Sequence, residues 1–101
     1  MKIIVIGDIH GQDIWKTIIE KEKTFDKVIF LGDYFDSFDI TPNNQLENYK
    51  EISKFRNDNK NKVITLLGNH EYHYMNTNSR YSGWNYTTNV IATDIITKDF
   101  N

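Results

Sequence analysis

Three short apolar runs divide the chain into repeating units. They span residues 2–6, 27–31 and 62–67, and each starts at a lysine and continues through residues rich in Val and Ile. Continuous runs of this length are typical of strands buried on both faces of a parallel sheet that helices cover. We therefore predict three parallel strands.

The connections between these runs have the period of amphipathic helices. Residues 13–23 place apolar side chains on one side and lysines and glutamates on the other. In the second connection, Thr41-Pro42 predicts an N-cap followed by a first-turn proline. An apolar stripe follows and ends at the polar run 57–61. The predicted order is β-α-β-α-β, an α/β fold with helices on both faces of the sheet and right-handed crossovers.

The last third of the chain has a different composition. Residues 72–89 are crowded with Tyr, Asn, Ser and Thr, which predicts a loop or a short helix followed by a loop. Residues 90–96 are apolar enough for a strand or a helical turn. We expect His73 to pack a short helix rather than reach inward. The aromatic residues Tyr81, Trp84 and Tyr86 either anchor this loop or stack on a nucleobase.

Length and composition exclude several classes of protein. With 101 residues, 39% of them hydrophobic, we expect one domain over residues 1–101. A net charge of −2 and a pI near 5.8 argue against general nucleic-acid binding. The absence of cysteine excludes disulfides, thiolate zinc sites and cysteine nucleophiles. The first apolar run is too short for a signal peptide or a membrane span, so we expect a cytoplasmic protein with no membrane partner.

A polar motif follows each predicted strand. The motifs are GDIHG at residues 7–11, GDYFD at 32–36 and GNHE at 68–71. Ligand sites of open α/β sheets lie at the carboxyl ends of the strands, so the motifs should meet at one edge. The side chains expected there are Asp8, His10, Asp33, Asp36, Asn69 and His70.

These residue types support metal-assisted hydrolysis. Asp8 and His10, one residue apart, can point to the same cation, and carboxylate plus imidazole suits zinc, manganese or iron. Asp33 adds a carboxylate that could bridge two metals, and Asn69 adds an amide oxygen. In two-metal hydrolytic sites the ions activate a water molecule and clamp the phosphoryl oxygens. His70 would then act as a cation or a general acid for the leaving oxygen.

The three motifs, in this order, resemble those of the calcineurin-like metallophosphoesterases, and the resemblance covers residues 3–71. It implies hydrolysis of a phosphomonoester or phosphodiester, with a nucleotide or a phosphoprotein among the expected substrates. It implies two divalent metal ions, Mn²⁺, Fe²⁺/³⁺, Zn²⁺ or similar. By the resemblance the metal ligands are Asp8, His10, Asp33 and Asn69, with Asp33 as the bridge. The catalytic residues are His70 and Asp36, and Asp36 and Glu71 also support the site.

The sequence departs from the family pattern in two places, one affecting the expected subclass and the other the number of metal ligands. Many protein phosphatases and tetraphosphate hydrolases continue the second motif with Arg-Gly, whereas this chain continues with Ser37-Phe38. The family also supplies late histidines, and this chain has only His10, His70 and His73. We therefore expect an apparently truncated domain, the N-terminal part of a longer protein. The alternatives are a half-enzyme completed by homo-oligomerisation and a catalytically inactive metal-binding or interaction module.

Overall fold

A computed structural model describes residues 1–75 and 80–100 of the chain. Its three strands form one parallel sheet in the order β1-β2-β3, which confirms the predicted α/β fold with a parallel sheet. None of the helices in the described ranges is long and apolar enough to cross a membrane. The elements are β1 (Ile3–Ile6), α1 (Ile14–Glu22), β2 (Lys27–Phe30), α2 (Pro42–Asp58), β3 (Val63–Thr65), α3 (Asn69–Met75) and α4 (Tyr86–Phe100).

The core lies against one face of the sheet. Side chains alternate between the faces of a strand, and Ile4, Val28 and Phe30 are buried on the same face. On the other face, Val5 and Ile64 remain 56% and 43% exposed. The prediction that helices cover both faces is therefore wrong for the described residues. An unbroken apolar run shows that both faces are apolar, but it does not show that both are covered.

The first two helices cover the buried face through aromatic contacts. Trp15 of α1 packs edge-on against Phe30 of β2, with ring centroids 5.7 Å apart, and lies at the same distance from Phe55 of α2. Its indole N–H donates to Asn48 Oδ1 at 3.0 Å. Burying an aromatic side chain of this kind stabilises the fold by about 1.5–3 kcal/mol.

Helix α2 begins where the sequence predicts. Thr41 has an extended backbone, its hydroxyl oxygen accepts from the Asn44 N–H at 3.3 Å, and Pro42 is the first helical residue. The predicted stripe faces inward, with Tyr49 and Ile52 fully buried. The Thr41 cap thus starts α2 shortly after the second motif, which ends at Asp36.

The C-terminal part is more helical than predicted. Helix α3 continues the third motif through Met75, and the helical alternative for residues 90–96 is confirmed by α4. The Asn85 Oδ1 atom accepts from the Thr88 N–H at 3.1 Å, so Asn85 caps the first turn of α4. Residues 76–79 of the predicted loop lie outside the described residues.

Candidate metal centre

The first motif loop is hydrogen-bonded to the second. The backbone N–H of His10 donates to the carbonyl of Asp33 at 2.8 Å, and that of Gly11 donates to the carbonyl of Tyr34 at 2.7 Å. The loops follow neighbouring parallel strands, so their starting points lie side by side. The predicted convergence of the first two motifs is therefore present in the fold.

The second and third motif loops approach so closely that both need glycine. A Cβ atom on Gly32 would lie 2.4 Å from the backbone nitrogen of Gly68, and one on Gly68 would lie 2.3 Å from the backbone nitrogen of Asp33. Gly32 also has a φ of +107°. Glycine has no Cβ and adopts positive φ readily, which is what this contact requires.

The backbone is strained at the same edge. Positive φ angles occur at Asp8 (50°), His10 (43°), Asp33 (59°) and Asp36 (70°). Among the non-glycine residues that the structure describes, Lys23 at the end of α1 is the other example. Such conformations are uncommon for residues with a side chain, and they cluster at functional sites. All four strained residues belong to the set that the motifs predict.

Three potential metal ligands converge at this edge. His10, Asp33 and His70 each offer one ligand atom, and these atoms lie within 4.8 Å of one another. The two imidazole rings meet edge-on with centroids 5.0 Å apart. All three residues are partly exposed, so an ion can reach them. Two imidazoles and a carboxylate form a donor set that suits zinc, manganese or iron.

The ring of His10 is oriented for ligation. Its Nδ1 atom lies 2.6 Å from the carbonyl oxygen of Phe35, so Nδ1 carries the proton and donates it. The Nε2 atom therefore keeps its lone pair. Histidines that bind metals usually donate the other ring N–H to a carbonyl or carboxylate. The Asp8 Oδ1 atom is 3.9 Å from this Nε2, on a side chain that is 84% exposed.

A buried carboxylate joins the second and third motif loops. Glu71 has no exposed surface, and its oxygens accept from the backbone N–H groups of Asp33 (2.7 Å), Tyr34 (2.7 Å) and Gly68 (3.1 Å). Burial raises the pKa of Glu71 to about 7, and the amide donors oppose this rise. Glu71 thus links the backbone of the second motif loop to that of the third.

Asp36 and His70 form a pair beside the three-residue cluster. The His70 Nδ1 atom is 3.0 Å from Asp36 Oδ2, and Asp36 is 6% exposed. The backbone N–H of His70 donates to Asp33 Oδ1, also at 3.0 Å. His70 is therefore attached to both carboxylates of the second motif. This geometry suits an imidazole whose orientation and tautomer are fixed.

His73 lies closer to the site than the sequence indicated. It packs α3 as expected and is fully buried, but its Nε2 atom is 2.6 Å from Asp36 Oδ2. Asp36, His70 and His73 form a second group with ligand atoms within 4.8 Å of one another. Helical spacing could have indicated this contact, because residues i and i+3 share a face of a helix.

Two of the predicted metal ligands lie on the exposed surface beside the cluster of His10, Asp33 and His70. Asp8 and Asn69 are exposed, and Asp8 does not belong to the three-residue cluster of His and Asp side chains. Asn69 is the first residue of α3, at the same edge of the sheet as the other motif residues. The structure thus brings His10, Asp33 and His70 together and leaves Asp8 and Asn69 beside them.

Comparison with known proteins agrees with the motifs and the geometry. The family model of the calcineurin-like phosphoesterases matches residues 1–101, the whole of this sequence. Neither the curated proteins nor the solved structures gave a significant match. The family binds divalent metals, and the His and Asp cluster at the sheet edge provides ligands for them. On the match and on this cluster, the chain belongs to the calcineurin-like phosphoesterase family, a family of metal-dependent phosphoesterases.

Proposed function

We propose that this protein hydrolyses a phosphomonoester or phosphodiester with the help of two divalent metal ions, such as Mn²⁺, Fe²⁺/³⁺ or Zn²⁺. The observation that carries the proposal is the convergence of His10, Asp33 and His70 at the strained edge of the sheet. Divalent ions, when bound, activate a water molecule and neutralise charge on the phosphoryl oxygens.

The chain's own residues provide the ligands. His10 presents Nε2 because the Phe35 carbonyl holds its Nδ1–H. Asp33 lies between the other two motif loops, which suits a carboxylate shared by two ions. Asp8 and Asn69 are exposed at the rim and would complete the set with oxygen atoms. The acidic side chains of the first two motifs attract cations to this edge.

His70 is the residue we propose to protonate the leaving oxygen. Its Nδ1–H points to Asp36, so His70 would act as the imidazolium: the proton on Nε2 goes to the leaving oxygen and the neutral ring, protonated on Nδ1, remains. Positioned general acids of this kind contribute about 10²–10⁴-fold to rate. The attack is direct, by water rather than by a side chain, so no covalent phosphoenzyme forms.

The substrate is a phosphate ester, with nucleotides and phosphoproteins among the candidates. A cleft of about 280 Å³ is lined by His10, His70, Ser37 and Phe38, so it opens onto the proposed metal centre. Phe38 is 84% exposed and supplies no positive charge. The other described residues that line the cleft are Asp36, Asp39 and Ser82, so its lining includes no lysine or arginine, and we expect the metals and the histidines to bind the phosphate group.

The first experiment is a joint measurement of metal and turnover. The 101-residue chain is purified without chelator, its metal content is measured per chain, and hydrolysis of bis(p-nitrophenyl) phosphate is followed with and without Mn²⁺. We expect two ions per chain and turnover that depends on Mn²⁺. A chain that binds no metal and shows no turnover would contradict the proposal and favour an inactive interaction module.

A second candidate is a half-enzyme completed by another copy of the chain. It is favoured by the ligand count, because the four proposed ligands, Asp8, His10, Asp33 and Asn69, are fewer than two ions need. Turnover per chain would then rise with protein concentration, together with the mass measured by light scattering. A monomer at tens of micromolar whose activity is proportional to concentration would exclude this candidate.

A further inference from the structure

Helix α3 directs three side chains at one carboxylate. His70, His73 and Tyr74 are separated by three and four positions, the spacing that places residues on one face of a helix. All three reach Asp36, which belongs to the second motif loop. The motif residue His70 is thus one of three contacts that α3 makes with Asp36.

Both oxygens of Asp36 are engaged. Oδ2 lies 3.0 Å from His70 Nδ1 and 2.6 Å from His73 Nε2. Oδ1 accepts a hydrogen bond from the Tyr74 hydroxyl. The contacts of His70 and Tyr74 are hydrogen bonds, whereas His73 Nε2 lies close to Oδ2 without hydrogen-bond alignment, so two hydrogen bonds and one close contact hold the carboxylate.

The segment after α3 determines where the protons lie. The backbone N–H of Tyr81 donates to His73 Nδ1 at 3.0 Å, so the proton of the neutral ring is on Nε2, the nitrogen that lies 2.6 Å from Asp36 Oδ2. The backbone N–H of Asn85 donates to the Tyr74 hydroxyl oxygen at 3.1 Å. The hydroxyl proton is therefore free to point at Asp36. Two backbone donors outside the motifs orient both side chains.

The polar groups of Asp36, His73 and Tyr74 are buried, and a buried polar group costs free energy unless it has a partner. His73 and Tyr74 are 0% and 1% exposed, and Asp36 is 6% exposed. A buried polar group that loses its partner costs about 1–3 kcal/mol. Apolar side chains of similar size would pack here without that risk. The polar contacts are best explained by what they do for Asp36 and His70.

We propose that His73 and Tyr74 are positioning residues that hold Asp36 and thereby fix the ring tautomer and orientation of His70. The inference rests on the proposed function, in which His70 protonates the leaving oxygen. Because the chain segment from Arg80 to Asn85 orients both residues, it takes part in the site through backbone atoms. A carboxylate that fixes the tautomer of a catalytic imidazole has a large effect on turnover in other enzymes.

The test reads the His70 tautomer directly. Imidazole ¹⁵N shifts of the metal-free 101-residue chain are measured at neutral pH for the wild type, Tyr74→Phe, His73→Leu and His73→Gln. We expect His70 to be protonated on Nδ1 in the wild type and to become a mixture of tautomers in Tyr74→Phe and His73→Leu. Because the amide nitrogen of glutamine replaces Nε2, His73→Gln should restore most of the wild-type spectrum. Tyr86→Phe, at an exposed hydroxyl outside the site, is the matched control.

Steady-state kinetics of the same variants provide the second measurement. With Mn²⁺ and bis(p-nitrophenyl) phosphate, kcat should fall about tenfold in Tyr74→Phe and His73→Leu, with KM within about twofold of the wild-type value. Variants that fold and keep the wild-type His70 spectrum would overturn the inference, whatever their activity. A wild type without turnover but with the expected spectral changes would contradict the proposed function and support the positioning.

Discussion

His70 and Asp36 lie 34 positions apart in the sequence, and yet the His70 Nδ1 and Asp36 Oδ2 atoms are 3.0 Å apart. The second motif loop supplies the carboxylate and the start of α3 supplies the ring. The contact leaves His70 Nε2 for the substrate. It joins two motifs that the sequence presents separately.

We expect Asp36→Asn to reduce turnover by about 10²–10⁴ while metal content stays at the wild-type level. The amide places N–H donors against His70, His73 or Tyr74, which are donors themselves, so the ring loses its fixed orientation. Metal analysis and steady-state kinetics provide the two measurements. Asp94→Asn, at an exposed position of α4, serves as the control. Unchanged turnover in Asp36→Asn would remove Asp36 from the mechanism.

His70→Ala separates two roles that the geometry allows. If His70 is the proton donor, metal content is retained and turnover falls by about 10²–10⁴. If the ring is a metal ligand, as its place in the cluster with His10 and Asp33 allows, metal content falls as well. We expect the first outcome. Metal analysis of the purified variant decides between them.

Asp33→Asn should abolish metal loading at both positions, because we propose that this carboxylate bridges the two ions. An amide keeps the size and one oxygen but loses the negative charge. The measurement is metal content after dialysis against Mn²⁺, with Asp13→Asn at an exposed position as the control. Wild-type metal content in Asp33→Asn would overturn the bridging role.

Glu71 should make stability fall as pH rises. Its pKa is about 7 in the folded chain against an ordinary value of 4.5, so the folded state retains a proton that the unfolded state has already lost. The stabilisation of the folded chain by protonated Glu71 is fully present below pH 4.5, decreases as pH rises, and is lost by about pH 7. The loss amounts to about 3 kcal/mol.

Urea unfolding of the metal-free chain across this pH range, compared with Glu71→Gln, isolates the effect, because the glutamine does not titrate. The exposed substitution Glu20→Gln is the control. If the wild type instead gained stability relative to Glu71→Gln as pH rises, the amide donors would outweigh burial, and the folded pKa would lie below 4.5.

Gly32→Ala should destabilise the chain far more than Gly7→Ala. At Gly32 the new Cβ would meet the Gly68 backbone at 2.4 Å with φ at +107°, whereas at Gly7 it would meet a movable Leu31 side chain at 3.3 Å. We expect a loss above about 3 kcal/mol for Gly32→Ala and below about 1 kcal/mol for Gly7→Ala. Thermal unfolding measures both. Equal losses would mean that the two motif loops can separate without cost.

The strands and helices could be predicted from the sequence because they depend on local patterns. The Thr41-Pro42 cap and the apolar stripe of α2 are examples in which neighbouring residues determine the outcome. The start of α4 was missed, since the single residue Asn85 caps a helix whose first turn is polar. The open face of the sheet was also missed, because composition does not reveal whether another element covers it.

The sequence by itself determined which residues could form a site and that strand ends would bring them to one edge. Parallel strands start and stop side by side, so the motifs that follow them are placed by topology alone. Only the tertiary structure decided which atoms meet. The contact of the Phe35 carbonyl with His10 and the contacts of His70, His73 and Tyr74 with Asp36 depend on side-chain and backbone directions. Those directions are set by packing between segments far apart in the chain, and no local pattern records that packing.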